Sequence, residues 1–163
     1  MKPAPILAAG GALVAVAALA ALASLAQDAG PEPAEELAFL GEPVTAEQLR
    51  LGQDVYAANC AACHGADLEG QPDWRRRLED GRAPAPPHDE SGHTWHHSDR
   101  NLFTITKLGI GAIVPGYASD MPAFGDVLSD AEIAAALAYI KSTWPARQRG
   151  FQAEVTANDE GEL

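Results

Sequence analysis

Two cysteines and a histidine stand together in the stretch "YAANCAACHGADLEG", residues 56–70. Cys60 and Cys63 are the only cysteines of the chain, and His64 directly follows the second. Three chemistries use thiols at this spacing. C-x-x-C-H is the attachment signature of c-type haem: each thiol adds to one porphyrin vinyl group, and the imidazole becomes an axial ligand of iron. A zinc site would need two more ligands beside Cys60 and Cys63, and the remaining histidines could supply them. A thioredoxin-like dithiol needs a βαβ setting, whereas strand signals are almost absent here. A disulfide across so small a loop would add little stability, so the pair is better explained by chemistry than by stapling.

A low-spin haem needs a sixth ligand. Apart from Met1 the sole methionine is Met121, in the Gly/Pro-rich loop "GIGAIVPGYASDMPAFGDV", and a thioether completes His/Met ligation. A methionine is more usually a core residue, but this one lies outside any apolar periodicity.

The elements that must position these groups read as helices. Thr45 and Gln48 form a capping box, with Val44 and Leu49 as hydrophobic staple, for a helix running to about Ala58. Gly52 inside it costs about 1 kcal/mol relative to alanine, which points to another backbone packing closely. A second helix starts at the Ser98 cap and stops at Gly109. A third is capped by Ser129 and Glu132, carries Ile133, Ala136, Leu137, Ile140 and Trp144 on one face, and stops at Pro145. The fold class expected is all-α.

Residues 65–97 form a long loop region, a length that wrapping around a large ligand would explain. It holds Trp74, Arg75, Arg76, Arg77 and Arg82, then "APPHDESGHTWHH". The arginines and Trp95 could pair with haem propionates, or the arginines could simply be solvated. Every histidine except His64 falls here: His88, His93, His96 and His97, beside Asp89 and Glu90. That density suits an additional copper or zinc ion, or else rings bonded to backbone or propionates.

The ends are of different character. Ile6–Ala26 carries no charge and would span roughly 30 Å as a helix. Residues 1–26 read either as a cleaved signal peptide or as a membrane anchor, and both imply export. Residues 27–43 read as a flexible linker, and residues 146–163 as an acidic, disordered tail. The net charge of −12 excludes nucleic acid as a partner and fits a basic docking face on a partner protein.

Three anchors in order resemble a class I monohaem c-type cytochrome over about Thr45–Trp144. They are the first helix with "CAACHG", the middle "NLFTITKLG", and "MPAFGDVLSDAEIAAALAYIKSTW". The resemblance implies a cytochrome c domain over 44–145: three main helices, the first and last crossed, around one covalent haem c. It implies that Gly52 and Tyr56 meet the Ala136–Ile140 segment, and that a carbonyl at Pro86 or Pro87 accepts from His64 Nδ1. The function implied is one-electron transfer in the bacterial periplasm, by a soluble or inner-membrane-anchored protein. Two other readings follow from the residues: metal handling by the histidine loop, and a haem enzyme with an open iron site, against which Met121 argues.

Overall fold

The computed structural model describes residues 36–159. The expected signal or anchor segment and most of the expected linker lie outside the described residues.

The described chain opens with a small hairpin in place of a linker. Strands β1 (Ala38–Phe39) and β2 (Glu42–Pro43) pair antiparallel across Leu40 and Gly41. Both turn residues have positive φ, as the type I′ form of a two-residue hairpin turn requires. Phe39 is buried and joins the core.

Helix α1 (Ala46–Asn59) begins with the complete capping box at Thr45 and Gln48. A single turn, α2 (Ala61–His64), continues from it through Cys60. Helix α3 (Asp99–Leu108) is capped by Ser98, whose hydroxyl accepts from Asn101 N–H. Helix α4 (Asp130–Thr143) has the second capping box, Ser129 with Glu132. The fold is therefore mostly helical, as expected.

Gly52 is where α1 and α4 meet. A Cβ placed on it would lie 2.0 Å from the Ala135 carbonyl oxygen. Without a side chain there the two backbones touch, and the rings of Tyr56 and Tyr139 sit 5.7 Å apart beside the contact. Around it Tyr56, Ile133, Leu137, Ile140 and Trp144 form the apolar core.

The expectation of a disordered tail from Ala146 is corrected. Pro145 ends one helix and caps the next, α5 (Ala146–Ala157). This helix lacks an apolar stripe, because what it buries is polar. Gln152 is fully enclosed, and its Nε2 donates to Asp99 Oδ1 (2.7 Å) and to the His97 carbonyl (3.2 Å). Asp99 is itself buried and paired with buried Lys141 at 3.0 Å. Its other carboxylate oxygen accepts from Leu40 N–H. One carboxylate thus ties together the hairpin, α3, α4 and α5. Asp99, Lys141 and Gln152 were invisible to sequence reasoning, since each looks like a surface residue.

Candidate haem site

Cys60 closes α1 and Cys63 and His64 lie on the following turn, so one continuous stretch of helix sets the spacing of all three. Both cysteines are free thiols; Cys63 is exposed and Cys60 half-buried. Burial, with Cys63 beside it, pushes the Cys60 thiol up to about 11. His64 is buried, and that burial holds its imidazole below the ordinary 6.5 against the opposing pull of its bond to Pro86. Tyr56 secures the turn from below: its hydroxyl donates to the Gly65 carbonyl at 2.8 Å.

His64 Nδ1 donates to the Pro86 carbonyl oxygen at 2.8 Å. Of the two prolines expected for this role, Pro86 fills it. The proline segment is held against the turn by backbone bonds from Gln71 N–H to the Ala85 carbonyl and from His88 N–H to the Leu68 carbonyl. Gly70 makes the approach feasible, because a Cβ there would meet Pro87 N at 2.4 Å. With Nδ1 committed as donor, Nε2 carries the free lone pair, the form an imidazole needs to bind a metal. Among the described residues no hydrogen bond is assigned to that Nε2.

Met121 is half-buried in the loop between α3 and α4. The loop is fastened on both sides of it. Asp120 pairs with Arg82 at 2.5 Å, and Phe124 N–H donates to the Thr106 carbonyl at 2.9 Å.

Three of the four arginines expected at propionates, Arg75, Arg77 and Arg82, have partners within the protein. Arg75 stacks on Trp74 (4.2 Å) and donates to the Ser91 carbonyl. Arg77 donates to the Gly81 carbonyl and lies over Tyr117. Trp95 differs: its Nε1–H is buried with no partner among the described residues.

The histidine-rich copper or zinc site is not supported. His93 stacks on Trp74, His96 packs against Trp95 and Phe151, and His88 stacks on His64. His93 and His97 pack edge to face at 5.5 Å, and among the described residues no group of three or more His, Cys, Asp or Glu is gathered to hold a metal ion. The same finding counts against zinc at Cys60 and Cys63. Among the described residues, no helix is long and apolar enough to cross a membrane.

The sequence model of the cytochrome c family matches residues 49–144. The chain belongs to the cytochrome c family. Haem binding and electron transport are the chemistry of that family, and the donor set fits it: two thiols on one turn, an imidazole oriented from behind, and a buried indole N–H without a partner. Two curated relatives are similar to this cytochrome c. One is a Cbb3-type cytochrome c oxidase subunit CcoP of Rhodobacter capsulatus, 29% identical over 65% of this chain and 33% of the relative. The other, a second CcoP sequence from the same species, is 27% identical over the same shares. The chain spans about a third of the length of these relatives. A solved structure, cytochrome CL of Methylophaga aminisulfidivorans, is 23% identical with a TM-score of 0.48, covering 76% of each chain.

Proposed function

We propose that this cytochrome c is a one-electron carrier of the bacterial cell envelope, with one haem held by Cys60 and Cys63 and ligated axially by His64 and Met121. The observation that carries the reading is the Pro86 carbonyl on His64 Nδ1, which prepares the other nitrogen of a buried imidazole beside two free thiols. The bound haem supplies the one-electron couple, and no substrate bond is made or broken.

The residues of the chain do the rest. Cys60 and Cys63 fix the ring through thioethers. Pro86 keeps His64 in one tautomer and raises its basicity. Met121, a soft neutral donor, favours the reduced iron and raises the potential. The Trp95 N–H is a donor suited to a propionate. With His64 and Met121 both holding the iron, no position on it would be left for a substrate, and we read the chain as a carrier and not an enzyme.

The name of the curated relatives, an oxidase subunit, supports redox proteins as partners, including the other subunits of a larger oxidoreductase. The net charge of −12 favours a basic docking face on them, with association weakening as salt rises. Residues 6–26 would supply either an export signal or an attachment to the inner membrane.

The test is an optical spectrum of protein produced with a periplasmic haem-attachment system, oxidised and reduced, with a pyridine haemochrome. The expected result is covalent c-type haem with the weak far-red band of a methionine-ligated ferric iron. Haem without that band removes Met121 from the reading. Absence of covalent haem overturns it.

A further inference from the structure

His88 belongs to the histidine-rich loop, yet its ring is turned inward. It lies parallel to the His64 ring, with centroids 4.0 Å apart and planes inclined by 20°. Nothing about this placement is loose. His88 N–H donates to the Leu68 carbonyl at 2.8 Å. Its carbonyl accepts from Trp144 Nε1 at 2.7 Å. Its Nδ1 meets the Thr94 hydroxyl at 2.8 Å, and that hydroxyl donates onward to the Pro87 carbonyl. The Tyr56 ring stands edge-on to it at 6.3 Å. The imidazole is thus fixed at both backbone groups, at one ring nitrogen and at one edge.

The Cβ–Cγ bond and the Nδ1 bond to Pro86 orient the His64 ring, and the freedom left is a small rotation about Cβ–Cγ within the tolerance of that hydrogen bond. A flat surface against one face removes that rotation. We propose that His88 is a positioning residue for the axial imidazole, setting the rotation of the His64 ring while Pro86 sets its tautomer. The proposal rests on His64 being an iron ligand. It also runs a connection from the end of α4 to the ligand, through Trp144 and His88.

The test uses the ferric holoprotein and the hyperfine-shifted proton resonances of the haem methyls, whose order and spread report the orientation of both axial ligands, read together with the shifted resonances of the His64 and Met121 side chains, which tell which of the two has moved. The variants are His88→Ala, His88→Phe and Thr94→Val. His88→Ala should alter the order or spread of the methyl resonances. His88→Phe, which keeps a flat ring against His64, should restore the wild-type pattern. Thr94→Val, which frees Nδ1 of His88, should shift the pattern in the same sense as His88→Ala by a smaller amount. Should His88→Ala fail to fold, the other two variants decide. An unchanged pattern in Thr94→Val, together with either an unchanged His88→Ala or a His88→Phe that differs from wild type, overturns the proposal. A wild-type protein with covalent haem but no signals from a coordinated imidazole overturns the ligand assignment itself, and this proposal with it.

Discussion

Gly52 of α1 passes Ala135 of α4 so closely that a Cβ on residue 52 would stand 2.0 Å from the Ala135 carbonyl oxygen and 2.9 Å from Tyr139 Cβ. A backbone atom cannot step aside as a side chain can. Gly52→Ala should therefore cost about 2 kcal/mol net, the helix-propensity gain notwithstanding. Denaturant unfolding of the holoprotein measures this, and a variant as stable as wild type would mean the crossing is wider than described.

Asp99 and Lys141 form a buried ion pair at 3.0 Å. Removing one partner strands the other charge away from water, at about 3–5 kcal/mol. Lys141→Met should show a loss of this size, and Asp99→Asn likewise. The double variant should lose less than the two together, because neither charge is then left alone. Additive losses would show that the two residues act separately.

Ending the chain after Pro145 would expose Asp99 and Trp144 together. It removes Gln152 from Asp99 and Arg149 from the Trp144 carbonyl, to which its guanidinium donates at 2.5 Å. A truncated protein should lose on the order of 1–3 kcal/mol for each buried polar group left unsatisfied. A disordered tail would predict no change, so the melting temperature distinguishes the two directly.

Met121→Ala opens an axial position under the proposed ligation. The reduced variant should bind carbon monoxide rapidly, where the wild type binds slowly, and its reduction potential should fall. Equal rates and equal potentials would place the sixth ligand elsewhere.

His93 and His97 lie below the ordinary 6.5, chiefly through burial. Neighbouring charge adds to this: His96 and Arg75 at His93, and His93 and His96 at His97. An unfolded chain takes up these protons at higher pH than the folded one. The stability from keeping the rings neutral is full above 6.5 and is lost as pH falls through the folded values. Urea midpoints should drop between about pH 7.5 and about pH 5, and His93→Gln with His97→Gln should flatten the slope.

The three main helices were legible because their starts are written in local chemistry. Thr45 with Gln48 and Ser129 with Glu132 are capping boxes whose partners lie three residues apart. Gly52 was legible by exception, as a glycine in a helix that had no local use for one. The site was readable at Cys60, Cys63 and His64 for the same reason of proximity. What escaped depends on distant residues. The hairpin at Ala38–Pro43 is held by Asp99, and α5 by polar groups with no apolar period to betray it. The histidines misled because their number was plain and their directions were not: His93 packs on Trp74, His96 against Trp95 and Phe151, and His88 on His64.

The carboxylate of Asp99 also has a bearing on the order of events during synthesis. A chain leaves the ribosome N-terminus first. The turn carrying Cys60, Cys63 and His64 is closed by backbone bonds such as His64 N–H to the Cys60 carbonyl, which need nothing further downstream. Asp99 must wait for partners 42 and 53 residues later in the chain, Lys141 and then Gln152. The bonds that shape the thiol turn are thus local in the chain, whereas the Asp99 junction is complete only when Gln152 has arrived as the closing latch.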